Sequence, residues 1–132
     1  MKQVNQSVPK KDAMALLMGK PVYTQDLAPA GCLVVKLLRS PHAHAKIKSI
    51  DAKRALALPG VVCILTHADM PENRFTIAGQ AYPEFSPYDR RILDDTVRYV
   101  GDAVAIVAGE DEKTVDAALK KIRVEYEILP AI

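Results

Sequence analysis

"VGDAVAIVAGEDEKTVDAALKKIRVEYEIL", residues 100–129, changes its apolar period twice within thirty positions. Residues 104–108 form an unbroken apolar run after a bend at Gly101, as expected of a strand covered on both faces. Over residues 111–122 the apolar positions shift to helical spacing: Val115, Ala118, Leu119 and Ile122 recur at i, i+3, i+4 and i+7 and make one stripe. Asp111 and Glu112 open this segment and Lys120 and Lys121 close it, each sign matching the helix dipole at its end. The period then falls to two, with Val124, Tyr126 and Ile128 on one side and Glu125 and Glu127 on the other, which predicts a half-buried strand.

Upstream, "CLVVKLL" (residues 32–38) reads as a strand covered on most of both faces and stopped by Pro41. "KIKSID" (46–51) alternates and predicts a short strand with Ile47 turned away from its lysine neighbours. Asp51 then caps a short helix that Pro59 and Gly60 end. Residues 61–65, "VVCIL", predict a second buried strand, followed by a turn or single helical turn over 66–70. Residues 71–93 hold three prolines and no sustained period; a connection this long is usually functional or packed on a partner. Residues 1–18 read as an arm leading into a domain over 19–132, punctuated by Gly19 and Pro21. The order strand, strand, helix, strand, loop, strand, helix, strand predicts an α+β domain: a mixed β-sheet with about two packing helices.

With 132 residues, 49% hydrophobic and 26% charged, the chain fits one globular domain and has no apolar run long enough for a membrane span. Eighteen basic against sixteen acidic residues, with no block of like charge, leave no electrostatic footprint for nucleic acid. The early apolar stretch is too short for a secretory signal, which makes a soluble cytoplasmic protein the expectation. Cys32 and Cys63 lie in apolar surroundings and read as reduced core thiols.

His42 and His44 form an H-x-H pair whose imidazoles stand about 6.6 Å apart on an extended segment, within reach of one zinc. A zinc site needs a third ligand, for which His67, Cys63 or Asp69 are the candidates; the competing reading is a loop whose histidines bond backbone or water. No nucleophile elbow and no phosphate-loop spacing occurs. The carboxylate pairs Asp94–Asp95 and Asp111–Glu112 read as solvated surface. Arg90 and Arg91 suit either an anion clamp or an interface, the latter favoured because interfaces are enriched in arginine.

Five stretches in order resemble one known domain. "SVPKKDAMALLMGKPVYTQDL" carries Gly19, Tyr23 and Asp26. "LLRSPHAHAKIKSID" carries Arg39, Ser40, His42, Ala43, Ala45, Ile47, Ile50 and Asp51. "ALALPGVVCILTHADMP" holds a Pro-Gly-Val turn, and the segment from Val97 onward holds a Val-Gly-x-x-Val-Ala strand, a helix and a closing Tyr-Glu-x-Leu-Pro-Ala strand. Together they resemble the α/β hammerhead domain that opens the molybdenum-binding subunit of the xanthine dehydrogenase and aldehyde oxidase family. The resemblance implies a parent enzyme that hydroxylates aldehydes, purines or other N-heterocycles with water as oxygen source. Such an enzyme uses molybdopterin-bound molybdenum, with 2Fe-2S clusters and often FAD on other domains or subunits. It also implies that the cofactor loops and the general-base glutamate lie in following domains, so no catalytic or cofactor-binding residue is carried over to this chain. The expectation is a non-catalytic structural domain packed on the molybdopterin-binding domains and on iron-sulfur and FAD partners. Arg39, His42, Arg90 and Arg91 are its interface candidates. A stand-alone metal-binding module or an assembly adaptor is the alternative.

Overall fold

The computed structural model describes residues 4–20, 23–76 and 87–131. They divide into two compact units, residues 1–32 and 33–132. In the first unit, "AMALL" forms a short helix, α1 (Ala13–Leu17), and Thr24–Leu27 a 3-10 turn in which the Asp26 carboxylate accepts the Tyr23 N–H at 3.2 Å. Alanine, methionine and leucine are strong helix formers, so α1 arises where the sequence shows no sustained period. None of its residues is buried.

The second unit contains two three-stranded sheets. Strands β1 (Val34–Arg39), β3 (Val61–Thr66) and β5 (Ala103–Gly109) pair in the order β1-β5-β3. Strands β2 (Ala45–Asp51), β4 (Thr96–Val97) and β6 (Arg123–Ile128) pair as β4-β2-β6. Among the described residues every strand pairing is antiparallel, so the mixed sheet expected from the sequence is instead two small antiparallel sheets. In the first sheet β5 is the central strand, paired antiparallel with both β1 and β3.

Helix α2 (Lys53–Leu56) and helix α3 (Glu112–Leu119) supply the two packing helices. Val107 from β5 is fully buried with Ala55 of α2 and Val115 and Ala118 of α3, while Val34, Leu38, Val61 and Ile64 close over them. A second cluster joins Ala45 and Ile47 of β2 to Val97 and Val104. Leu38, Ile50 and Val124 pack against both clusters, so the two sheets share one continuous core. Ile47 is buried between exposed lysines, as its alternation requires.

Two expectations are corrected. Strand β1 is half-buried, with Val35 57% exposed and Leu37 38% exposed, because helix α3 covers only the face that carries Val34 and Leu38. Cys32 is exposed and Cys63 half-buried, so Cys32 is no core thiol; it precedes the first sheet pairing at Val34. Lys36, the one interruption in the apolar run, reaches Glu112 and Asp116 of α3, each at 2.7 Å. The bond to Asp116, then that to Glu112, hold its ammonium above the ordinary lysine value.

Local chemistry sets the ends of these elements. Asp111 caps α3, its carboxylate accepting the Thr114 N–H at 2.7 Å and hydroxyl at 3.0 Å. Asp51 accepts the N–H of Lys53 at 3.1 Å at the start of α2. Asp69 accepts the Thr66 N–H at 2.7 Å and hydroxyl at 2.9 Å, closing the 3-10 turn His67–Asp69. The Thr114 N–H, then its hydroxyl, lower the pKa of Asp111, and the same two groups of Thr66 lower that of Asp69. Because both values lie below that of an unfolded aspartate, about 3.9, these carboxylates stabilise the fold above that pH. The contribution is lost as pH falls through the lowered folded values. Thermal midpoints measured from pH 5 down to pH 2 are expected to fall, and Asp111→Asn with Asp69→Asn to flatten that fall; an unchanged slope would remove both caps from the acid response.

Candidate functional site

Of the residues singled out in the sequence, Arg39, Ser40, His42 and His44 gather at the junction between β1 and β2, where the two sheets meet. Pro41 ends β1, and the chain must turn before Ala45 starts the other sheet. Ser40 makes the turn: it is 3% exposed, its Oγ accepts the His42 N–H at 3.0 Å and lies 3.0 Å from the His42 carbonyl, to which it donates. Its backbone N–H donates to Asp102 O at 2.8 Å and its carbonyl accepts the Gly101 N–H at 2.8 Å. Arg39 donates to Gly101 O at 2.8 Å. The turn between β4 and β5 is thus bound to the loop between β1 and β2 at three places.

His42 and His44 close the other side. The His42 ring meets Tyr126 of β6 edge to face, with centroids 4.8 Å apart and planes at 72°. Burial raises the pKa of the Tyr126 phenol, against a hydrogen bond with the Ser40 side chain that lowers it. The His44 Nδ1 lies 2.7 Å from Pro130 O, and since a carbonyl only accepts, Nδ1 carries the proton. The Leu129 N–H donates to His44 O at 3.0 Å, so one residue holds the segment after β6 at two points.

His67 follows β3 in the 3-10 turn, at the same end of the sheet as Ser40 but two strands across, since Thr66 and Leu38 both pair with Ala105. Its Nδ1 is buried without a hydrogen bond among the described residues. His42, His44 and His67 are therefore not assembled, and among the described residues no three His, Cys, Asp or Glu side chains are arranged to hold a metal ion.

Arg90 and Arg91 occupy the returning end of the 71–93 connection. Arg90 exchanges backbone hydrogen bonds with Phe75, at 2.9 and 3.2 Å, which ties the two ends of the connection together. The Arg91 Nε is buried without a hydrogen bond among the described residues. Tyr82, Pro83 and Phe85, the centre of this loop, lie outside the described residues.

The sequence reading missed Asp94 and Arg98. Asp94 is partly buried rather than solvated, and Arg98 donates to it at 2.9 Å. Burial pushes its pKa up, but the Arg98 bond and charge with the Asp95 N–H bring it below the ordinary value. The spacing of four between Asp94 and Arg98 was the available signal, although the pair sits around a two-residue strand instead of on a helix.

Ser40→Ala is expected to cost about 1–3 kcal/mol, because it leaves the amide and carbonyl of His42 without their partner. His42→Ala is expected to cost less, about 0.5–1.5 kcal/mol for the lost ring pair. Urea unfolding measures both; a Ser40→Ala variant as stable as wild type would deny the junction its anchoring role. Zinc is expected to leave the wild-type thermal midpoint unchanged, since a ligand that binds the native state must raise it.

Two antiparallel sheets sharing a core with two short helices define the class, an α/β hammerhead domain. The sequence description "Aldehyde oxidase and xanthine dehydrogenase, a/b hammerhead domain" matches residues 18–130, and the chain belongs to that family. It is 46% identical over 129 residues to the probable hypoxanthine oxidase XdhD of Escherichia coli, covering 98% of this chain and 14% of that protein. It is 40% identical over 125 residues to the putative xanthine dehydrogenase molybdenum-binding subunit XdhA of the same species, covering 92% of this chain and 17% of the relative. Quinoline 2-oxidoreductase from Pseudomonas putida superimposes with a TM-score of 0.83 at 38% identity, over 96% of this chain and 16% of that one. The chain thus spans about one-seventh to one-sixth of the length of these relatives. Among the described residues no helix is long and apolar enough to cross a membrane.

Proposed function

We propose that this chain is a non-catalytic structural domain of the large, molybdenum-binding subunit of a cytoplasmic molybdenum hydroxylase. The observation that carries the reading is the match along nearly the whole chain to about one-seventh to one-sixth of relatives named as xanthine dehydrogenase subunits and aldehyde oxidoreductase. The geometry supports the same reading from the other side. Arg39, Ser40, His42 and His44 spend their polar groups on backbone and on Tyr126, which is work of positioning.

In the parent enzyme molybdopterin-bound molybdenum would supply the hydroxylation of an aldehyde or N-heterocycle. Electrons would leave through 2Fe-2S clusters and, in the fuller form, FAD on partner domains or subunits. Residues 1–18 act as an arm and 19–132 as the domain, with Arg39, His42, Arg90 and Arg91 at its contacts. The test has two parts. The coding sequence is expected to continue past residue 132 for several hundred residues with glycine-rich cofactor loops. The purified 132-residue chain is expected to contain no molybdenum and to oxidise neither xanthine nor aldehydes. Stoichiometric molybdenum with turnover in this chain alone would sink the reading, and a stop codon after residue 132 would favour an adaptor.

A further inference from the structure

Strand β6 pairs with β2 down to Ile128 opposite Ala45, and the Leu129 N–H carries the ladder one step further by donating to His44 O at 3.0 Å. There the backbone ladder stops, because the next residue is Pro130, which has no N–H to donate. Its carbonyl can still accept, and the His44 ring supplies the donor: Nδ1 lies 2.7 Å from Pro130 O. Among the described residues, no other hydrogen bond holds residues 129–131. Burial does not hold them either. Ile128 is 69% exposed, Leu129 half-buried, Pro130 and Ala131 exposed, and none of the four belongs to a core cluster. His44 itself stands firm, since Ala45 after it is fully buried and the His42 ring before it packs on Tyr126. Beside the bond lies a hollow of about 360 Å³, bordered by Ala43, His44, Arg98, Pro130 and Ala131, with the Arg98 guanidinium held by Asp94 at 2.9 Å. The segment therefore has room to swing on one side, and one residue restrains it.

We propose that His44 is a positioning residue, a pin that sets the direction in which the chain leaves β6. This goes beyond the reading of the chain as a structural domain, and rests on it only for what residues 129–131 lead to. His44 is not among the residues of "LLRSPHAHAKIKSID" that carry the family resemblance, so its role comes from its contacts alone. The chemistry belongs to one ring nitrogen. A carbonyl only accepts, so the pin needs the proton on Nδ1. Nδ1 is bonded directly to Cγ, the position that the amide nitrogen of an asparagine occupies. The amide nitrogen of a glutamine lies one bond further out, nearer the place of Nε2. From position 44 an asparagine can therefore donate to Pro130 O as the histidine does, whereas a glutamine reaches past it.

Hydrogen exchange of the Leu129 amide, read by NMR in the 132-residue chain, tests the pin. His44→Ala is expected to lower its protection about threefold to tenfold, the factor that one hydrogen bond of ordinary net strength is worth. The Val115 amide, which donates to Asp111 O at 3.1 Å at the start of α3, is expected to keep its protection. His44→Asn is expected to restore Leu129 to within about twofold of wild type, and His44→Gln to behave as the alanine variant. An unchanged Leu129 amide in His44→Ala overturns the proposal. So does rescue by glutamine as full as that by asparagine, because the bond is then not the work of Nδ1. Equal losses at Leu129 and Val115 overturn it as well, since His44 then acts on the whole domain. In the longer polypeptide that contains this chain, elastase, which cuts after small residues, is expected to cleave after Ala131 about threefold to tenfold faster in His44→Ala and at the wild-type rate in His44→Asn. Equal rates in all three forms overturn the aiming role. Molybdenum analysis of that polypeptide tests the subunit reading separately, and the exchange result stands whichever way it falls.

Discussion

Gly109→Val is expected to destabilise the 33–132 unit by about 3 kcal/mol, the upper end of the usual cost of overpacking. Gly109 ends the central strand, facing Val34 on one side and Val61 on the other. A Cβ placed there would lie 2.9 Å from Val115 Cγ2 and 3.0 Å from Gly60 O. Neither neighbour yields easily: Val115 is fully buried on α3, and Gly60 O is fixed by accepting the Glu110 N–H at 2.9 Å. For a domain of this size the loss corresponds to a fall in thermal midpoint of roughly 12–24 °C. Gly109→Ala should cost less, since it adds one carbon. Combining it with Val115→Ala should recover part of the loss, because one of the two clashes disappears while the carbonyl remains. Calorimetry of the two single variants and the double closes the cycle. Strictly additive effects would show that the close approach to Val115 is not what excludes a side chain at Gly109.

How far the sequence reaches depends on whether the deciding chemistry is local. The start and buried stripe of helix α3 were legible, since the acidic start at Asp111, the stripe Val115–Ala118 and the strand switch at Arg123 act within a turn of the residues that show them, but the helix stops at Leu119, short of Lys120, Lys121 and Ile122. The β5 run was legible for the same reason: a strand buried on both sides must be apolar throughout. Strand β1 carries the same kind of run and was misread, because its letters do not say that helices lie on only one face. Pairing order was out of reach too, as β1 meets β5 across more than sixty residues and nothing local encodes the direction of the meeting. The junction was half legible. Pro41 and Ser40 announce a turn, but the groups that hold it, Gly101, Asp102, Tyr126 and Pro130, come from three distant segments. The H-x-H spacing suggested a shared ligand, yet the fold sends one ring to Tyr126 and the other to a carbonyl.

Leu93→Ala is expected to cost about 2–5 kcal/mol, as for other fully buried leucines, and its loss should be felt unevenly. Leu93 is 1% exposed at the end of the 71–93 connection, yet it belongs to neither of the clusters that organise the sheets. It therefore fastens the strap that follows it. Immediately after it, Asp95 O accepts the Ile47 N–H at 2.7 Å, and the two residues of β4 pair with Ala45 and Lys46. So short a strand holds its place only if the chain entering it is fixed, and Leu93 is the buried side chain on that entry. Its removal should let residues 93–97 open while β5 and α3 stay folded, because local unfolding needs only the contacts of the segment that leaves. Hydrogen exchange tests this directly: protection of the Ile47 amide should fall well before that of Val107. An equal fall at both amides would place Leu93 in the global core and leave the β4 strap held by its hydrogen bonds alone.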